Sequence, residues 1–344
     1  MKAFSPEDKI LSMSHREKGS SPIPWQLRME GTSHAESRKG VFCVRLRSKA
    51  CRTNNEETKR VPNVRSEMLE GGYVYGASYG ELMLKALATT ATMQITMTTV
   101  CSIVSQVKLG VGGKRLEWWV HQFLCLTHHA VVGVWALYAL IYDPVCWAVV
   151  RGVCNKTVEG AHRLNYETSR YYMAILLPLT IGYMFFDMIQ LYRTKELNML
   201  ITVHHGVSII LWPLLVHFDV AHMWILYFLS TELTGPFNVI RKMLSEAKYK
   251  ESKLYIVNGL IFTTLFVLWR IVPIPTLVSV GWLANPFDSS TVPTSLTPNI
   301  VILLKVAYLF SYLPLAFNMY WGFYVVNGAC KALLCSQKKR NKTC

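Results

Sequence analysis

Seven long apolar runs, separated by short polar segments, dominate the sequence from about residue 84 onward. A helix that spans a bilayer needs roughly 20 largely apolar residues, because the hydrocarbon core is roughly 30 Å thick. Each run is close to or above that length, so the chain is expected to be an all-α, multi-pass integral membrane protein. The predicted segments cover residues 84–107, 118–142, 171–192, 199–216, 221–239, 254–280 and 300–326.

The chain carries a formal net charge of +15, and so basic a protein first suggests a nucleic-acid partner. The basic side chains, however, lie in the polar N-terminal part and in the connections between apolar runs. Membrane proteins place cationic side chains in this way at the cytosolic headgroup surface. The sequence therefore predicts membrane lipids as partners and excludes nucleic acid.

The distribution of charge also predicts an orientation. Five Lys or Arg residues crowd positions 241–253, whereas the next connection, residues 285–298, has none. By the positive-inside rule the first of these connections and the C-terminus are cytosolic, and residues 143–170 are lumenal. Asn155-Lys156-Thr157 in that lumenal segment is an acceptor sequon, so Asn155 is expected to be glycosylated.

Composition divides the chain into three regions. Residues 1–78 are rich in Ser, Lys, Arg and Glu and are expected to form a disordered basic tail. Residues 84–330 form the transmembrane domain, and residues 331–344 form a basic cytosolic tail. The first apolar run is the weakest because it is rich in Thr, Ala and Met. It either spans the membrane, which places the N-terminal tail in the lumen, or lies on or re-enters the membrane.

Several polar side chains fall inside the apolar runs or at their ends. A charged side chain at the bilayer centre costs about 3 kcal/mol, so such groups are retained where they face a cavity or a partner. They are expected to line a lipid-accessible cavity. The set comprises His129, Asp187, His204, His205, Glu232, Arg241, Arg270 and Asn318.

His204 and His205 are adjacent, so they point about 100° apart on a helix. One is expected to face the bundle interior while the other contacts a neighbouring helix. Either the pair supplies a proton-transfer group or nucleophile, or it ties helices together through hydrogen bonds. Replacement of His205 is expected to impair function more than folding, because the sequence shows no evident structural partner for it.

Asp187 and Glu232 complete the set of candidate catalytic residues with the two histidines. Asp187 either orients a histidine, pairs with a cation, or is an ordinary interfacial carboxylate. Glu232 is expected to pair with Arg241 or with a histidine. Pro236, four residues after Glu232, removes a backbone donor and is expected to kink or end its helix.

The remaining polar groups are interpreted structurally, Arg270 and Lys305 as reaching toward an interface and Asn318 as a bridge between helices. The histidines do not follow the HxxxH and HxxHH spacings of membrane di-iron oxidases. The sequence therefore predicts no metal and no resident cofactor.

The order of these motifs resembles the TLC domain family, which is named for a translocon-associated protein, the longevity-assurance ceramide synthases and a ceroid-lipofuscinosis protein. The resemblance covers roughly residues 85–330. It implies a six-helix TLC-type bundle, here preceded by one weaker transmembrane segment. The matching stretches are Leu126-Thr127-His128-His129-Ala130, Gly182-Tyr183 with Asp187, His204-His205, Glu232-Leu233-Thr234-Gly235-Pro236-Phe237-Asn238 with Arg241, Asn258-Gly259, Phe266, Arg270-Ile271 and Asn318.

The chain departs from the ceramide synthases at one motif. Those enzymes carry a His-Asp-x-Ser-Asp stretch, whereas this chain has Ser230-Thr231-Glu232-Leu233-Thr234. The resemblance is therefore to the branch of the family that is not ceramide synthase. It implies a protein of the endoplasmic reticulum or another endomembrane, or of the plasma membrane, that binds lipid and influences membrane lipid composition. The alternatives are an acyltransferase for sphingoid bases, which would use acyl-coenzyme A, and an escort receptor for newly made proteins.

Overall fold

The computed structural model describes residues 78–106 and 113–340, and the side chains as far as residue 331. These parts of the chain are helical and contain no strand. The helices, numbered in chain order, are α1 (Tyr79–Gln106), α2 (Lys114–Tyr142), α3 (Pro144–Cys154), α4 (Val158–Tyr166), α5 (Arg170–Thr194), α6 (Met199–His217), α7 (His222–Ser230), a 3₁₀ turn (Thr231–Thr234), α8 (Gly235–Glu246), α9 (Lys253–Phe266), a π turn (Val267–Ile271), α10 (Ile274–Leu283), a 3₁₀ turn (Ser289–Thr291) and α11 (Pro298–Arg340).

Six of the predicted segments are helices long and apolar enough to cross a membrane, which confirms the all-α membrane bundle. They are α1, α2, α5, α6, α11 and the nearly continuous segment from α9 to α10. α5 is central in the bundle, since it packs against α1, α2, α6 and α7. Its interior face buries large apolar side chains such as Phe186, Leu176 and Ile181.

The fifth predicted segment, residues 221–239, is not one helix. α7 ends at Ser230, a 3₁₀ turn follows, and Pro236 lies in the first turn of α8, where its missing N–H costs no hydrogen bond. The hydroxyl groups of Ser230, Thr231 and Thr234 each donate to the carbonyl oxygen three residues earlier. These side chains therefore satisfy backbone groups that the break in the helix would leave unpaired.

α1 packs along α5, and a glycine makes the contact possible. A Cβ added at Gly182 would lie 2.5 Å from the carbonyl oxygen of Ala86, so a larger residue would separate the two helices. Thr90 donates to the carbonyl oxygen of Gly182 at 2.9 Å, and Gln190 donates to the side-chain oxygen of Gln94 at 2.7 Å. The later residue of α1 pairs with the later residue of α5, so the two helices run parallel.

The connection predicted to be lumenal, residues 143–170, folds into the helical pair α3 and α4. Asp143 caps α3 by accepting from the backbone of Val145 and Cys146, and Thr157 caps α4 by accepting from the N–H of Gly160. Asn155 follows the last residue of α3 and is exposed. Its glycosylation stays a prediction, and so does the lumenal side of this pair.

The expected N-terminal tail, apart from residue 78, lies outside the described residues, as do residues 341–344 of the expected C-terminal tail. α11 continues past the expected domain end at residue 330 and reaches Arg340.

Candidate functional site

Asp187 joins three helices through two histidines. Its Oδ2 accepts a hydrogen bond from Nε2 of His205 on α6 at 3.0 Å, and its Oδ1 accepts one from Nε2 of His121 on α2 at 2.8 Å. All three side chains are buried. Asp187 thus orients histidines, one of the roles expected for it, and His205 is the histidine that faces the bundle interior.

His121 and its neighbour Cys125 are not among the candidate residues expected from the sequence. Cys125 lies one turn after His121 on α2, with its Sγ 3.8 Å from Oδ1 of Asp187. His128 lies another turn along the same face and stacks on Tyr183, with ring centroids 3.9 Å apart. Positions 121, 125 and 128 follow the i, i+4, i+7 pattern of one helix face, and that periodicity was the signal available in the sequence.

Glu232 pairs with a histidine, one of the two partners expected for it. His129 Nδ1 donates to Oε2 of Glu232, and both side chains are largely buried. The ring of His129 lies directly against Gly235, where an added Cβ would come within 2.7 Å of the histidine Cβ. Arg241, the other expected partner, makes a long hydrogen bond to Asn238 at 3.4 Å and lies over the ring of Phe262.

The interpretation of Arg270 as a side chain reaching toward an interface is wrong. Its guanidinium bridges the 3₁₀ turn Thr231–Thr234 and α11. It donates to the carbonyl oxygen of Thr231 at 2.8 Å and to Oγ1 of Thr234 at 3.0 Å. A third hydrogen bond reaches Oδ1 of Asn318 at 3.2 Å. The break between α7 and α8 exposes polar backbone inside the bundle, and a guanidinium with several donors can satisfy it. Asn318 therefore joins two helical segments through Arg270.

His204 faces away from the Asp187 network. Its ring makes edge contacts with Phe317 and Trp321 of α11, with centroids 6.3 and 5.9 Å away. Among the described residues it has no carboxylate partner. The two adjacent histidines thus separate as expected, one into the interior and one toward a neighbouring helix.

His204 lines a narrow apolar cleft between α6, α7 and α11, which has a cavity volume of about 60 Å³. The cleft follows α6 from Val203 to Leu215, a distance of about 18 Å at 1.5 Å per residue. At its other end Asn165 is already satisfied, because it accepts from Trp224 at 2.9 Å and donates to the carbonyl oxygen of Ala284 at 2.8 Å. His204 places an imidazole at the opposite end of this mainly apolar lining.

The chemistry available to the candidate residues follows from this separation. Asp187, His205, His129 and Glu232 form hydrogen-bonded pairs inside the bundle and do not line the cleft. A general base or nucleophile needs a carboxylate or other group to orient it and a substrate within hydrogen-bond reach. His205 has an orienting carboxylate but does not line the cleft, whereas His204 lines the cleft but has no orienting carboxylate among the described residues. Neither histidine therefore meets both requirements.

The comparison with protein families agrees with this architecture. The TLC domain model matches residues 118–329, which is more than half of the chain. The chain belongs to the TLC domain family.

One curated relative is TLC domain-containing protein 4 A of Dictyostelium discoideum, 25% identical over 166 residues. The aligned region covers 46% of this chain and 59% of that relative. The similarity is consistent with the branch of the family that is not ceramide synthase. No solved structure gave a significant match.

Proposed function

We propose that this protein binds a membrane lipid through the cleft between α6, α7 and α11, and thereby influences membrane lipid composition. The observation that carries the proposal is the shape and lining of that cleft. One leaflet of hydrocarbon is about half of a roughly 30 Å core, so a cleft about 18 Å long matches a single acyl chain in length. Its lining is mainly apolar, with the imidazole of His204 at one end for a polar headgroup.

The proposal includes a location in the endoplasmic reticulum or another endomembrane. Its support is the resemblance noted in the sequence and the basic residues that follow the last apolar segment. The cytosolic side assigned to the C-terminus belongs to the same proposal.

A second candidate function is transfer of an acyl group to a sphingoid base. The observation that favours it is the hydrogen bond between His205 and Asp187, since an oriented imidazole is a common base or nucleophile. Burial favours lipid binding over this alternative. The second ring nitrogen of His205, Nδ1, is enclosed and makes no hydrogen bond to the described residues, and the cleft does not reach it.

Replacing Val207 with tryptophan is expected to reduce the lipid that co-purifies with the protein roughly tenfold. Val207 lines the cleft, so a tryptophan there would fill space that the lipid occupies. Overpacking costs about 1–3 kcal/mol, and about 1.4 kcal/mol corresponds to a tenfold change in affinity. The measurement is mass spectrometry of lipids extracted from detergent-purified protein after extensive washing.

Ile210→Trp is the matched control, because Ile210 lies three residues later on α6, is 64% exposed and does not line the cleft. It is expected to retain lipid as the unmodified protein does. Equal retention by both variants, with equal thermal stability in detergent, would overturn the assignment of the cleft.

A further inference from the structure

Three potential metal ligands converge between α2 and α5. A ring nitrogen of His121, the Sγ atom of Cys125 and a carboxylate oxygen of Asp187 all lie within 4.8 Å of one another. All three side chains are buried. A fourth side chain, His205, holds the other carboxylate oxygen of Asp187 at 3.0 Å.

Hydrogen bonding alone explains only part of this cluster. Asp187 accepts from two imidazoles, which gives both of its oxygens a short partner. Cys125 is only a weak member of that network, since its thiol donates across 3.8 Å to Oδ1 of Asp187, an oxygen that His121 already contacts at 2.8 Å. A thiol placed against an imidazole and a carboxylate is the arrangement that a divalent metal of borderline softness binds.

We propose that His121, Cys125 and Asp187 form a zinc site. Tetrahedral zinc with bonds of about 2.0 Å to nitrogen and oxygen and about 2.3 Å to sulfur separates its ligand atoms by about 3.3–3.7 Å. The sulfur–oxygen separation of 3.8 Å already suits this geometry, and the nitrogen–oxygen separation of 2.8 Å opens by about half an ångström to admit the ion. His205 orients the ligating carboxylate through its second oxygen.

Charge balance favours the ion in a buried setting. Binding displaces the thiol proton of Cys125 to solvent, and His121 gives up its Nε2 proton and binds as the neutral ring protonated on Nδ1, so a thiolate and a carboxylate neutralise the two charges of zinc. A neutral cluster avoids the desolvation cost of an isolated charge inside the bundle. The site also lies near an end of α2, since His121 is seven residues, about 10 Å, from the helix start at Lys114.

The zinc site goes beyond the proposed lipid binding and departs from the expectation of no metal, which was based on the spacing of the histidines and cysteines in the sequence. His121 and Cys125 lie on one helix and Asp187 on another, so no short sequence motif joins them. The proposed site and the lipid cleft lie on different faces of α6, reached by His205 and His204 respectively.

The test is the metal content of the full-length protein, purified in detergent without chelator from cells grown with added zinc. Elemental analysis by plasma mass spectrometry is expected to give close to one zinc per chain. Cys125→Ala is expected to lose most of this zinc, because it removes the thiolate while it leaves the two imidazole hydrogen bonds of Asp187 in place. Cys330→Ala is the control, since Cys330 is an exposed cysteine on α11. It is expected to keep the metal.

Cobalt provides a second readout, because a thiolate-to-cobalt band in the unmodified protein reports a cysteine ligand directly. Protein loaded with Co²⁺ is expected to show a thiolate-to-cobalt absorption band that is absent from Cys125→Ser. Zinc no higher than the detergent blank in the unmodified protein, together with no such band, would overturn the proposal. Retention of full zinc by a folded Cys125→Ala would do the same.

Discussion

Replacing Gly133 with alanine is expected to destabilise the bundle by about 3 kcal/mol, near the upper end of the usual cost of overpacking. Gly133 lies on α2 against the 3₁₀ turn Thr231–Thr234. An added Cβ would overlap the backbone nitrogen of Leu233 and lie 2.7 Å from the Cα atom of Leu233. Backbone atoms cannot rotate away as the end of a flexible side chain can. The turn must therefore move, which disturbs the pairing of Glu232 with His129 and the hydrogen bonds of Arg270.

Gly206→Ala is the matched control. Gly206 also lies in a membrane helix, α6, but an added Cβ would meet no atom within 4 Å. Alanine there is expected to be neutral or to stabilise by about 0.5–1 kcal/mol, because glycine is the poorer helix former. The measurement is the thermal midpoint of each variant in detergent. Similar midpoints for the two variants would contradict close packing of the turn Thr231–Thr234 on α2 at Gly133.

Replacing Asp187 with alanine is expected to cost about 2–4 kcal/mol of stability, because two buried imidazoles lose their acceptor at once. His121 and His205 come from different helices, so the change loosens α2, α5 and α6 together. The same measurement in detergent applies. Asp288→Ala is expected to have a much smaller effect, because this exposed carboxylate accepts, among the described residues, only from the backbone and hydroxyl of Ser290. Equal midpoints for the Asp187 and Asp288 variants would contradict the proposed role of the network.

This result would also revise an expectation from the sequence. Loss of His205 was expected to impair function more than folding because no partner was evident. The structure supplies the partner, Asp187, at 3.0 Å, so His205 is expected to matter for stability as well. His204 is the residue of the pair whose loss should affect lipid binding more than folding.

The sequence predicts the helices well because hydrophobic length alone identifies them. It also identifies Asp187, His205, His129 and Glu232, since ionisable groups are costly at membrane depth and stand out against apolar neighbours. It does not identify their partners. The pairing of Asp187 with His121 depends on how α2 packs against α5, and no local pattern specifies that packing.

The fifth segment shows a second limit of prediction from sequence. Residues 221–239 are apolar enough to predict a single span, and Pro236 indicates a break near its end. Where the helix breaks depends on hydroxyl side chains that bond their own backbone and on Arg270, which comes from a distant part of the chain. The importance of Gly133 is equally invisible in sequence, because a glycine in an apolar helix shows no sign of what lies against it.

The separation of the lipid cleft from the buried carboxylates is tested most directly by an assay for acyl transfer. Purified protein that retains lipid and shows a cooperative thermal transition is incubated with sphinganine and acyl-coenzyme A, and dihydroceramide is followed by mass spectrometry. Because the described lining of the cleft includes no imidazole that a carboxylate orients, product is expected to be no higher than with the His204→Ala, His205→Ala double variant. Turnover well above that variant would contradict a purely lipid-binding role and would favour the acyltransferase.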